Sequence, residues 1–189
     1  MHVDQLDLAG TVLITPRAFK DERGLFFESY ARRSFADALG DIEFVQDNSA
    51  VSHKRGTLRG LHFQLPPMAQ AKLVRVVKGS ILDVAVDLRA GSPTFLQHVA
   101  VELSEENRTQ LFVPRGFAHG YVTLEDNTQV AYKVDAYYSP EHERSVRWSD
   151  PELGVDWRLG GAAPVIADKD ANAPLFAEIA SALPKADWS

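Results

Sequence analysis

Between residues 72 and 138 apolar side chains recur at every second position, run after run, and short turns cut the runs apart. "KLVRVVKG" (72–79) closes on a glycine, and "SILDVAVDL" (80–88) sets Leu82, Val84, Val86 and Leu88 on one face with Asp83 and Asp87 on the other. "HVAVEL" (98–103) alternates through Val99, Val101 and Leu103. "QVAYKVDAYY" (129–138) does so through Val130, Tyr132, Val134, Ala136 and Tyr138, with Lys133 and Asp135 opposite. A period of two is a strand pattern that a helix cannot turn into one buried stripe. The separators are turn material: Lys78-Gly79, Ala90-Gly91-Ser92-Pro93, Pro114-Arg115-Gly116 and Glu125-Asp126-Asn127. Helical periodicity is confined to "RRSFADALG" (32–40), stopped by Gly40, and "APLFAEIASAL" (173–183). Closely spaced strands with helices only at the margins predict an all-β sandwich or barrel with a few short peripheral helices.

The chain has 189 residues, so one domain spanning 1–189 is expected to bury a real core. A net charge of −6 offers no global field for nucleic acid, and a dianionic ligand needs cations gathered locally. With no cysteine, disulfides, thiol nucleophiles and thiolate metal sites are excluded. "MHVDQLDLAG" lacks a basic segment followed by an apolar one, and no later stretch reaches transmembrane length. A cytosolic protein without a membrane partner is the expectation.

"RGLHFQ" (59–64) packs an arginine, a histidine and a glutamine into an apolar-flanked run, where unpaired burial of polar groups is costly. Histidines on such strands resemble the cupin jelly roll, whose metal pattern has a His-x-His strand with a following Glu, then Pro-x-Gly-x-x-His. The second stretch is intact as "PRGFAH" (114–119), but the second histidine of the first is Gln64, and "LPPMAQA" supplies no Glu. His62 and His119 alone fall short of the usual three protein ligands, and a neutral amide is a weak one. No metal is expected. Without one, Arg23, Arg59 and Lys72 become cations for an anionic ligand or for charge that develops during reaction. Tyr132 and Tyr138 can donate a proton or stack on a ring, and "VQDNSA" (45–50) offers Gln46, Asp47 and Asn48 as readers of a base-like ring. A base, an acid and a cation together suit proton abstraction beside a carbonyl.

At this point the chain resembles the dTDP-4-dehydrorhamnose 3,5-epimerases, metal-independent cupin-like enzymes of dTDP-L-rhamnose biosynthesis. The matching stretches include "DERGLFFESY", "FVQDNSAVSHKRGTLRGLHFQ", "AKLVRVVKG", "VPRGFAHGY", "QVAYKVDAYYSPEHE", "WSDPELGVDW" and "IADKD", in order from residue 21 to 170. The resemblance implies a cupin-type jelly roll, no cofactor, a homodimer, and a thymidine-diphosphate 4-keto-6-deoxysugar inverted at carbons 3 and 5. Both carbons flank the ketone, so deprotonating either gives an enolate. By position in the family, His62 is the base, Asp170 its partner (with Asp168 the near alternative), Tyr132 the acid on the opposite face, and Lys72 the enolate stabiliser. The family's substrate contacts fall on Arg23, Glu28, Gln46, Asp47, Asn48, Arg59, His119, Glu143 and Lys169. Tyr138 matches the aromatic that stacks on thymine. A mono-epimerase of a related keto sugar is the nearest alternative; a cupin-like binding domain and a metal-dependent enzyme are further ones.

Overall fold

The computed structural model describes residues 1–185, 187 and 188. Strands β1 (His2–Gln5), β2 (Val12–Thr15), β3 (Ala18–Asp21) and β4 (Gly24–Phe27) precede helix α1 (Arg32–Leu39). Then come β5 (Gln46–Ser52), β6 (Thr57–Gln64), β7 (Lys72–Lys78), β8 (Ser80–Asp87) and β9 (His98–Ser104). They are followed by β10 (Gln110–Val113), β11 (Phe117–Thr123), β12 (Thr128–Val134), β13 (Glu143–Ser145) and β14 (Val165–Ile166). Two single-turn helices, α2 (Asp168–Ala171) and α3 (Phe176–Ile179), lie near the C-terminus, the second running into a 3-10 turn at Ala180–Ala182.

One sheet has the order β1-β2-β10-β7-β12-β5 and the other β13-β6-β11-β8-β9, with β14 beside β6 and β3 paired to β4 apart from both. From β5 to β8 and again from β9 to β12, the chain steps from one sheet to the other, which makes the sandwich a jelly roll of the cupin kind. Val74, Val76, Leu111 and Val130 of the first sheet meet Ile81, Ala85, Phe117 and Tyr121 of the second in a core between them. A second core forms where Leu82, Val84 and Val86 pack against Trp157, Phe176 and Trp188 of the C-terminal segment. α1 seals the outside of the first sheet by packing Phe35 with Val12, Ile14 and Leu73.

β8 shows how the period misleads about direction. Its apolar face is the outer one, covered by the C-terminal segment, so the Asp83 face turns inward between the sheets. Both Asp83 and Asp87 are fully buried. Two other elements are shorter than their sequence patterns. β12 ends at Val134 because the Asp135 side chain accepts the Ala71 N–H (2.7 Å) and the Arg115 Nε–H (2.9 Å), which draws the chain out of the ladder. The C-terminal helix spans Phe176–Ile179 instead of 173–183, starting after Pro174 with Glu178 accepting the Leu175 N–H. Among the described residues no helix is long and apolar enough to cross a membrane.

β6 lies against β11 at a crossing of two glycines. A Cβ on Gly60 would sit 2.5 Å from Gly120 Cα and 2.8 Å from the His119 carbonyl oxygen, and Gly60 has φ +123°. This close approach sets His62 opposite His119 in the register. Gly60→Ala combines a backbone clash with a left-handed φ and is expected to cost more than about 2 kcal/mol. The urea unfolding midpoint measures this, and an unchanged midpoint would mean that the two strands can part here freely.

Candidate active site

A cleft of 310 Å³ opens between the sheets, with His62 of β6 on one side and Lys72 of β7 and Tyr132 of β12 on the other. Gln46, Asn48, Tyr138 and Glu143 complete its rim. A wider groove of 710 Å³ beside α1 holds no imidazole, lysine or phenol, so size alone does not mark the chemistry.

His62 is oriented from behind. Its Nε2 lies 2.7 Å from Asp170 Oδ1, while Asp170 Oδ2 accepts the Gly60 N–H at 3.2 Å. Burial alone would raise the Asp170 carboxyl; the hydrogen bond and charge of His62, with the Gly60 amide, outweigh it and hold the carboxyl below its ordinary range. Asp170 stands inside α2, a single turn, and is nearly fully buried, whereas exposed Asp168 opens the same turn with its carbonyl bonded to Asn172. Asp170 is therefore the carboxylate at the imidazole. With Nε2 engaged, Nδ1 is the nitrogen left to accept a proton.

Lys72 is buried and donates to the His62 carbonyl at 3.3 Å. Burial pushes its ammonium down to about 8, against the pull of Asp83 and Glu143. Such a group is charged at neutral pH yet sits in a poorly solvated place, where its field is strong. Tyr132 is raised above the ordinary phenol value, chiefly by burial, with Arg59 opposing and Glu143 assisting. It therefore keeps its proton near neutrality and can donate it.

The other end of the cleft is a chain of polar contacts. Tyr138 Oη donates to Glu143 Oε2 (3.1 Å), which also receives the Lys169 ammonium. The Tyr138 amide donates to Gln46 Oε1 (3.1 Å), and Gln46 Nε2 to Asn48 Oδ1 (2.9 Å). Tyr138 lies beyond β12 in a loop and is 53% exposed, so its ring stands open to a flat ligand. Gln64 explains that loop's position. Its amide nitrogen donates to the Met68 and Tyr137 carbonyls and its oxygen accepts the Ser139 N–H (2.7 Å). Every polar atom of the residue in the metal-ligand position thus serves the fold, and among the described residues no three His, Asp or Glu side chains converge as a ligand set.

Other predicted site residues lie elsewhere. Arg23 pairs with Asp21 at the tip of the β3–β4 hairpin, and Glu28 accepts the Ser34 hydroxyl; neither lines the cleft. Asp47 pairs with Lys133 (2.8 Å) around a neighbouring hollow. Arg59 reaches the Val51 carbonyl (3.4 Å) and acts on Tyr132 through its charge alone. His119 sits behind the cleft, with Nε2 2.8 Å from Asp83 Oδ1. Asp83 was not among the candidates, although an aspartate in an otherwise apolar strand is itself a signal of a buried, partnered charge.

The dTDP-4-dehydrorhamnose 3,5-epimerase family model matches residues 5–178. The dTDP-4-dehydrorhamnose 3,5-epimerase of Pseudomonas aeruginosa is 49% identical over 179 residues, covering 94% of this chain and 97% of that one. The dTDP-6-deoxy-D-glucose-3,5-epimerase of Legionella pneumophila, solved with dTDP-4-keto-L-rhamnose, superposes with a TM-score of 0.92 at 43% identity, covering 98% of each chain. A 3'-monoepimerase from Streptomyces bikiniensis, solved with dTDP-quinovose, superposes at 0.87 with 36% identity, covering 94% of this chain and 89% of that one. Match length, identity and fold agree, and the chain belongs to the dTDP-4-dehydrorhamnose 3,5-epimerase family.

Proposed function

We propose that the protein inverts carbons 3 and 5 of dTDP-4-dehydro-6-deoxy-D-glucose to give dTDP-4-dehydro-L-rhamnose. The observation that carries this reading is the placement of a carboxylate-held imidazole and a protonated phenol on opposite sheets of one cleft, with a buried ammonium from the phenol's sheet reaching the His62 carbonyl. His62 Nδ1 takes the proton from carbon 3 or 5, and the C–H electron pair moves onto the carbon-4 oxygen as an enolate. Lys72 stabilises that oxygen as its charge develops. Tyr132 then protonates the carbon from the other face, and solvent resets both groups before the next carbon reacts. Inversion requires this division, because a base returning its own proton restores the starting configuration. At the rim, Tyr138 stacks on the thymine, while Gln46, Asn48, Glu143 and Lys169 hold the nucleotide. A cytosolic setting accompanies this reading, since a dianionic sugar nucleotide does not cross a membrane unaided.

Incubation of the keto sugar nucleotide with enzyme in heavy water tests the reading. Deuterium entering at both carbons, with the rhamno product forming, is the expected result, and no exchange at either carbon would refute it. Exchange and inversion at one carbon only would favour the second reading, a mono-epimerase, to which the Streptomyces bikiniensis likeness lends support.

The reading includes a homodimer. Phe19, Leu25 and Phe26 on the β3–β4 hairpin are 53%, 48% and 70% exposed, an apolar cluster that a second copy can cover. A hairpin lent to the neighbouring copy also carries Arg23 to a cleft, which its own chain does not do. Mixing Arg23→Ala and His62→Ala subunits should then restore activity that each variant lacks alone, because one site of the mixed dimer carries neither change. No recovery after subunit exchange would place Arg23 in its own chain's site.

A further inference from the structure

Behind the cleft wall two buried polar atoms lack a well-formed hydrogen bond among the described residues. Asp83 of β8 and Tyr121 of β11 stand directly opposite in the register, so their side chains share the inward face about 5 Å apart at Cβ. Asp83 is fully buried and Tyr121 is 4% exposed. His119 occupies Asp83 Oδ1, but among the described residues Asp83 Oδ2 has no hydrogen-bond partner, and Tyr121 Oη makes no bond of good geometry, the Ser52 hydroxyl being its one side-chain hydrogen-bonding neighbour. Across the sandwich, Lys72 uses one N–H on the His62 carbonyl and feels the Asp83 charge without a contact ion pair. An acceptor, a hydroxyl and spare ammonium donors thus gather in a low-dielectric interior, where unpaired groups are costly. Buried waters commonly bridge about three such groups.

We propose that Asp83, Tyr121 and Lys72 hold an ordered internal water, and that through it Tyr121 is a positioning residue for the Lys72 ammonium. The water accepts from Tyr121 Oη–H and from one Lys72 N–H, and donates to Asp83 Oδ2. His119 fixes the other carboxylate oxygen, so the Asp83 carboxylate cannot turn away. One Lys72 N–H is then held by His62, one by the water, and the third is left for the cleft, where the enolate oxygen forms. The role rests on the reading of Lys72 as the enolate stabiliser. The titratable and charged groups around Lys72 and Tyr121 are Asp83, Glu143, His62, Tyr132, Arg59 and, through Asp83, His119. Tyr121→Phe alters none of them and keeps the ring.

The test pairs kinetics with crystallography. In Tyr121→Phe, kcat should fall about tenfold with KM within about twofold, and the alkaline limb of the kcat–pH profile should move to lower pH. A high-resolution crystal structure of the wild type should show a water about 3 Å from both Tyr121 Oη and Asp83 Oδ2. Unchanged kcat and pH limb in an active background would overturn the positioning role while leaving the epimerase reading intact. A wild type inactive on the sugar nucleotide would overturn that reading instead. Density without a water between the two atoms overturns the site whatever the kinetics, and even where the variant fails to fold.

Discussion

His62→Ala is expected to slow exchange of the carbon-3 and carbon-5 protons with heavy water by about 10²–10⁴-fold, the range of a general base. Binding of dTDP should change little, because the proposed nucleotide contacts lie at Tyr138, Gln46, Asn48, Glu143 and Lys169. Both carbons should be affected together, since one imidazole lines the cleft. Asp170→Asn is the companion measurement. An amide at that place can turn its NH₂ toward Nε2, which favours the tautomer with the proton on Nδ1, the nitrogen that must accept. Exchange should therefore collapse in Asp170→Asn although His62 is intact. Exchange that survives in His62→Ala at wild-type rate would remove the imidazole from the chemistry.

Lys72→Met is expected to lower kcat by about 10²–10³-fold, the loss seen when one preorganised donor to a developing oxyanion is removed. Methionine keeps the length and suits the buried position, so the fold should hold. The pH dependence sharpens the test. Burial brings the Lys72 ammonium down to about 8, and the cation is the form that stabilises the enolate. On its alkaline side, wild-type kcat should thus decline as pH rises through that value. In Lys72→Met the residual rate should lack this decline. A variant that keeps both the rate and the alkaline limb would exclude Lys72 as the stabilising cation.

The period of two made the strands legible, and the "LRGLHFQ" and "PRGFAH" stretches marked the strands that carry His62 and His119. The direction of each face was not legible, because alternation says nothing about which side a later segment will cover. On β8 the C-terminal Trp157, Phe176 and Trp188 claim the apolar face, leaving Asp83 inside beside the cleft. Gln64 read as a failed metal ligand, and its use as a clamp on the 137–139 loop depends on residues far along the chain. Asp168 and Asp170 are two residues apart, and only the closing of α2 onto Gly60 and His62 distinguishes them. Arg23 and Glu28 lie away from the cleft because their contacts, on the proposed reading, belong to an assembly of two chains.

Lys169 and Asp170 are neighbours in one turn of α2, the first paired with Glu143 at the cleft rim and the second with His62. On the proposed reading, what grips the carrier and what aligns the base are therefore consecutive links of one chain. A keto sugar arriving without its nucleotide leaves Lys169 and Glu143 holding only each other, and no grip on the carrier is available to steady the imidazole. On that reading the nucleotide works as a password, sparing unlabelled keto sugars from scrambling.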